Sequence, residues 1–268
     1  NGVGFNENGK AEAGMGVDFG DINHNGRLDL FVTNFSGESN TLYLNDGAGN
    51  FTDKTFSAGL GQSSLDVLGF GTKFLDIDLD GWLDLFVVNG HVIDNISHFN
   101  SAYTYAQRKQ VFINNKNGTF SEIDQKLIGA AAVPSVGRGA AFGDIDNDGD
   151  LDIVISNNNQ PANLLIKKDS PENNWIGFEL EGRSSNRDAI GGKVTIETAN
   201  GKQIAYVNPA ASYLASNDKR IVFGLNDTEM VDAIKVSWPG GNEEIFSLKN
   251  VNQYYKIVEG TGLSERKY

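Results

Sequence analysis

Three short stretches of this 268-residue chain place oxygen-bearing side chains at alternate positions of a glycine-containing turn. The first carries Asp21, Asn23, Asn25, Gly26 and Asp29; the second Asp76, Asp78, Asp80, Gly81 and Asp84; the third Asp144, Asp146, Asp148, Gly149 and Asp152. Counting from the leading aspartate, oxygens stand at positions 1, 3, 5 and 9 with glycine at 6, a spacing that lets the alternate side chains converge on one ion. The backbone carbonyls of Arg27, Trp82 and Asp150, at position 7, are expected to add to the set. Oxygen-only ligands select a hard cation. Calcium accepts about six to eight oxygens in irregular geometry, whereas magnesium demands a stricter octahedron and keeps its waters. The expected cofactor is therefore Ca2+, up to three ions.

A single loop of this kind is more simply an Asx-turn at a hairpin tip. Three matched copies favour the metal, because four clustered carboxylates in the second and third loops would repel one another without a cation. The first loop has only Asp21 and Asp29 as carboxylates and is expected to be the weak site. An EF-hand opens in the same way but needs a glutamate at position 12 and flanking helices. Here position 12 is Val32, Val87 and Ile155, and the residues after position 7 are β-branched and aromatic, so each loop is expected to close a hairpin.

Each loop belongs to a longer repeat. A glycine (Gly16, Gly71, Gly139) precedes it, an apolar strand follows it and an asparagine (Asn34, Asn89, Asn157) ends it. Behind come Asn40–Phe51, Gln110–Phe120 and a shortened Asn163–Lys168, reading as strand, turn and strand. The leading aspartates Asp21, Asp76 and Asp144 are 55 and 68 residues apart, a period that suits four-stranded propeller blades. The longer interval holds an insertion at about 90–109. Three blades do not close a ring, so further blades are expected to precede Asn1.

Composition agrees with an all-β chain. It has 32 glycines against five prolines, consistent with many tight turns. The formal charge of −13 excludes nucleic acid and anionic membrane as natural partners, and three calcium ions would bring it to −7. No apolar run reaches the length of a membrane span, and no basic-then-apolar leader opens the sequence. Cysteine is absent, which removes disulfides and thiolate chemistry.

Residues 173–259 alternate as seven short strands, from Trp175–Leu180 to Tyr254–Val258, a pattern that suits a small β-sandwich. The expected organisation is propeller blades over 1–170, a β domain over 171–260 joined by a hinge at Lys167–Asn173, and a loose tail over 261–268.

Phe19-Gly20-Asp21 and Phe142-Gly143-Asp144, with Phe74-Leu75-Asp76 as a variant, resemble the FG-GAP or VCBS repeats of integrin-α-type β-propellers. Ser185–Gly191, Ser212–Ser216, Phe223-Gly224-Leu225 and Val236–Gly240 resemble the ASPIC/UnbV domain. Together the two parts are similar to the C-terminal half of the cartilage acidic protein family and its bacterial relatives, without the early blades or the EGF-like module of some animal members. The resemblance implies an extracellular, calcium-binding protein that acts by contact with other molecules.

The function expected is a binding, adhesion or scaffold module, secreted, periplasmic or at the cell surface, with an extracellular protein or glycan as partner. Modest-affinity calcium sites load where free calcium is near millimolar. The alternative is a carbohydrate-active enzyme, a lyase or hydrolase-like propeller, using the inserted His91, Asp94, His98, Tyr103, Tyr105 and Arg108. A surface loop that packs on a neighbouring blade explains the same residues more simply. Arg187, Asp188, Tyr213 and Asp218 offer a contact surface on the second domain, or fix its turns. Sequons at Asn34, Asn50, Asn95, Asn117 and Asn226 matter only in a eukaryotic host.

Overall fold

The computed structural model describes residues 2–168, 172–248 and 250–268. The fold is all-β, a β-propeller arrangement in which, among the described residues, the strands fall into five sheets. The first is an antiparallel meander, β1 (Val17–Gly20), β2 (Asp29–Val32), β3 (Thr41–Gly47) and β4 (Asn50–Asp53), in that spatial order. The second repeats it with β5 (Gly69–Leu75), β6 (Asp84–Asn89), β7 (Gln110–Asn114) and β8 (Phe120–Glu122). The third has β9 (Gly137–Gly143), β10 (Asp152–Asn157) and β11 (Gln160–Leu165).

Four strands were expected in each repeat, and the third has three among the described residues. The reason lies after β11: Gly47-Ala48-Gly49 in the first repeat and Gly118 in the second turn the chain back with positive φ, whereas the sequence from 166 to 176 holds no glycine to return a fourth strand.

Period-2 alternation packs these sheets face to face. From β6, Leu85 and Val87 point into a core shared with Phe31 and Leu42 of the first sheet, while Phe86 and Val88 point into another shared with Phe142, Ile153 and Ile155 of the third. All six residues of β6 are buried, so the second sheet is covered on both faces. Val17 and Phe19 on β1, and Val154 and Leu164 on the third sheet, remain exposed.

The other eight strands are β12 (Asn174–Glu181), β13 (Lys193–Thr198), β14 (Gly201–Tyr206), β15 (Ile221–Asn226), β16 (Val231–Ser237), β17 (Glu243–Leu248), β18 (Gln253–Val258) and β19 (Gly262–Arg266). They form two four-stranded sheets, β15-β12-β18-β19 and β14-β13-β16-β17. Both contribute to one core, with Phe178, Phe223 and Ile257 from the first and Ile196, Ile234 and Val236 from the second. β18 lies in the middle of its sheet, parallel to β12 and antiparallel to β19.

The tail expected to be loose at 261–268 is instead largely strand. β19 pairs with β18 from Tyr254↔Arg266 to Val258↔Gly262, and the Tyr268 ring stands edge-on to Tyr254 at 5.4 Å. Of the expected hinge, residues 169–171 lie outside the described residues. Its flanks are tied down: Lys167 Nζ donates to the Ile77 carbonyl and Asn173 Nδ2 to that of Asp78.

The segment after β12 is locked to the end of β18 by one buried carboxylate. Glu259 accepts the backbone N–H groups of Arg183, Ser184 and Ser185 at 2.7–2.8 Å, and the Ser185 hydroxyl. These donors favour the ionised form and pull its pKa down to about 2. The depressed value makes its contribution complete above the ordinary 4.5 and lost as pH falls toward 2. Glu259→Gln is therefore expected to lower the melting temperature by several degrees at pH 7, with the gap from wild type closing between pH 4.5 and 2. A gap independent of pH would show that the charge plays no part.

Candidate metal centres

All three acidic loops are hairpin tips in the same register. Gly20 pairs with Asp29, Leu75 with Asp84 and Gly143 with Asp152, leaving eight residues to form each loop. The leading aspartate organises the turn. Asp21 accepts the N–H groups of Asn25 and Gly26, Asp76 those of Asp80 and Gly81, and Asp144 those of Asp148 and Gly149. Those amides point inward only because the chain passes through left-handed backbone at positions 4 and 6. Position 6 is glycine, with φ of 80°, 91° and 98°. Position 4 is His24, Leu79 or Asn147, near 60° in each case; asparagine accepts this region readily, whereas leucine pays roughly 1–2 kcal/mol.

The ninth-position aspartates Asp29, Asp84 and Asp152 are essentially buried. Asp84 accepts the N–H of Ile77 in its own loop and of Asn114 on β7; Asp152 likewise takes Ile145 and Lys167. Each thereby fixes its loop to the body of the sheet.

The structure brings together Asp76, Asp78 and Asp84 in one group and Asp144, Asp146 and Asp152 in another, with one carboxylate oxygen from each member within 4.8 Å of the others. Burial and mutual repulsion oppose full ionisation. Asp84 is pushed up to about 7, chiefly by burial, and Asp76 lies well above the usual carboxylate range through burial and then its neighbour Asp84. Asp78 and Asp152 are raised as well, first by burial. Three converging carboxylate oxygens on one turn fit a hard divalent cation, whose charge relieves that repulsion.

The fifth-position residues do not join these groups. Asp80 pairs through Oδ2 with Lys116 Nζ at 2.7 Å and accepts the Trp82 N–H on Oδ1. Asp148 accepts the N–H of Asp150. In the first loop Asn25 accepts the Arg27 N–H, while Asn23 Nδ2 donates to Asp29 Oδ2, so a neutral amide bridges where the other loops oppose two carboxylates. At position 7 the Arg27 guanidinium donates to the Asn45 carbonyl, and Trp82 stacks on His24 at 4.1 Å. The Asp150 side chain is buried beside Lys167 Nζ at 3.3 Å, its pKa pushed up to about 6 by burial.

The C-terminal sheets close over the second and third loops, which sequence reasoning missed. Leu79 is 2% exposed and packs with Trp175 and Tyr254. Tyr254 donates its hydroxyl to Asp144 Oδ2 at 2.6 Å. Arg220, stacked between the Tyr254 and Tyr268 rings, donates to Asn147 Oδ1 and to the Asp144 carbonyl.

The inserted segment holds His91 in a buried position between Phe35 and Tyr103. Its Nδ1 accepts the Ile93 N–H and burial holds its pKa down, so in the neutral ring Nε2 carries the proton and donates to Ser36 Oγ. That polarity gives Ser36 no base. Arg108 pairs with Glu122, and the Tyr105 hydroxyl accepts from Asn158; Asp94 and His98 are exposed. On the C-terminal unit Asp188 pairs with Lys219, Asp218 with Arg220, and Tyr213 packs edge-on to Phe70, while the Arg187 carbonyl accepts the Gly182 N–H.

Two family patterns match this chain. FG-GAP-like repeats cover residues 21–87 and 76–155, each span taking in two successive acidic loops, and the ASPIC and UnbV family covers residues 182–264. The chain belongs to the FG-GAP-like repeat family. Among relatives of this FG-GAP chain are cartilage acidic protein 1 of Mus musculus, 26% identical over 280 residues, and of Homo sapiens, 25% identical. Each alignment covers 87% of the FG-GAP chain and 43% or 42% of the relative, so the chain spans less than half the length of these proteins. The Xenopus tropicalis protein matches to the same extent, at 26% identity. No helix among the described residues of the FG-GAP chain is long and apolar enough to cross a membrane.

Proposed function

We propose that this chain is a calcium-loaded part of an extracellular β-propeller protein and acts as a binding or scaffold module. The observation that carries the reading is the matched convergence of Asp76, Asp78 and Asp84 and of Asp144, Asp146 and Asp152 on identically built hairpin tips. Calcium, rather than magnesium, suits loops whose geometry is set by a turn and not by an octahedron. The first loop, with its amide bridge, is the weakest of the three sites. Sites of modest affinity fill at the calcium concentrations outside cells, which supports a secreted, periplasmic or cell-surface location.

In this reading residues 1–170 are blades of a larger propeller and residues 171–260, extended by β19, are a β-sandwich. Exposed Val17, Phe19, Val154 and Leu164 on the outer faces of the first and third sheets support the former. The single core between the two C-terminal sheets supports the latter. The partner is an extracellular protein or glycan. The orientation of His91 toward Ser36 speaks against the enzyme alternative.

Calorimetric titration with Ca2+ is expected to resolve at least two sites per chain, with Mg2+ binding far more weakly. A titration with no heat of binding, repeated at two temperatures, would remove the calcium reading. Polysaccharide depolymerisation lost on His91→Ala would restore the enzyme.

A further inference from the structure

The second loop offers three successive backbone carbonyls, one taken by Lys167, which follows the last blade strand, and two by residues of the C-terminal unit. Lys167 Nζ donates to Ile77, Asn173 Nδ2 to Asp78 and the backbone N–H of Asn226 to Leu79, at 3.1, 2.8 and 2.9 Å. The Leu79 side chain completes the contact as a plug against Trp175 and Tyr254. The fit is close enough to require glycine on both sides. A Cβ at Gly224 on β15 would fall 2.1 Å from Asp76 Oδ2 and 2.4 Å from the Leu79 carbonyl carbon, and one at Gly149 in the third loop would fall 2.0 Å from the Trp175 indole. Both leading aspartates are thus touched from the C-terminal unit, Asp76 by the Gly224 backbone and Asp144 by the Tyr254 hydroxyl.

We propose that cation binding by the second and third loops and seating of the C-terminal two-sheet unit on the blades are a single coupled event. This rests on the calcium reading above. The turn that gathers Asp76, Asp78 and Asp84 also aims the carbonyls of residues 77–79 outward, so one backbone conformation serves both the ion and the docking surface. When the ion leaves, the carboxylates repel, the turn relaxes and the seat is lost. Linkage makes the effect reciprocal: whatever factor calcium contributes to docking, docking contributes to calcium affinity. The C-terminal unit is then held by the ion without supplying a charged ligand to it.

Two variants of the full chain separate the contact from the ligands. Leu79→Asn removes the plug while keeping a residue suited to the left-handed position, as Asn147 is in the third loop. Tyr254→Phe removes only the hydroxyl that reaches Asp144. Calcium affinity is expected to fall about tenfold in Leu79→Asn and a few-fold in Tyr254→Phe by calorimetry. Hydrogen exchange in wild type is expected to slow on adding Ca2+ across 172–180 and 221–226, which contain none of the loop residues, and to slow less in both variants. Wild-type calcium binding with unchanged exchange in those segments, or unaltered affinity in Leu79→Asn, would overturn the coupling and leave the calcium reading standing. Absence of calcium binding to wild type would overturn both.

Discussion

Chelating calcium from the loaded chain is expected to lower its melting temperature by roughly 10–20 °C. At free calcium about 100 times the dissociation constant, each site adds about 2.7 kcal/mol to the folded state. Two strong sites therefore supply about 5 kcal/mol, a large share of the 5–15 kcal/mol typical of folded domains. At this chain size each kcal/mol moves the midpoint by roughly 2–4 °C. The loss propagates because the loops are not appendages. Asp84 ties the second loop to Asn114 on β7, and Ile22 of the first loop is buried in the core shared by the first two sheets. Magnesium should restore little of the shift, since it gives up its waters reluctantly. Coincident melting curves in saturating calcium and in chelator would contradict the expectation.

The second large effect separates two aspartates that the repeat pattern treats alike. Asp84→Ala is expected to cost roughly 5–9 kcal/mol in calcium. It removes a converging carboxylate, with the binding energy of that site, and leaves the N–H groups of Ile77 and Asn114 without their acceptor, about 1–3 kcal/mol each where buried. In chelator the cost shrinks, because taking away a buried carboxylate also relieves repulsion against Asp76 and Asp78. Asp80→Ala should cost only about 1–3 kcal/mol beyond any loss of calcium affinity, since it breaks a pair with a solvent-facing Lys116 and leaves one part-buried N–H, that of Trp82, without its acceptor. Denaturant unfolding of both variants with and without calcium measures the difference. Equal losses in calcium would mean that Asp80 turns from Lys116 into the site on loading.

That contrast marks what could be read from the sequence. The alternation of aspartate with a sixth-position glycine located the three hairpin tips, because the local turn itself demands those residues. It could not show that Lys116 returns from the next hairpin to claim Asp80, nor that Asn23 meets Asp29 through its nitrogen. Seven C-terminal strands were legible from alternating apolar residues. β19, with Leu263 as its one apolar residue, was not: it contributes mainly a row of backbone partners to the sheet edge. Leu79 is an apolar residue in an acidic loop. Its significance depends on Trp175 and Tyr254, about a hundred and more residues away, and no local pattern encodes such a meeting.

The central place of β18 also governs the order in which a nascent chain can acquire this shape. The blades are meanders whose strands meet near sequence neighbours, so each can close soon after it leaves the ribosome. β12 has to wait, since its parallel partner follows 77 positions later, Ile176 lying opposite Gln253. At roughly 5–20 residues per second, that is about 4–15 s during which one edge of β12 is bare, with Phe178 and Leu180 lacking the finished core. The C-terminal unit is thus the slow, non-local step of folding. The finished blades, with Leu79 already presented, stand as a template beside it during that interval.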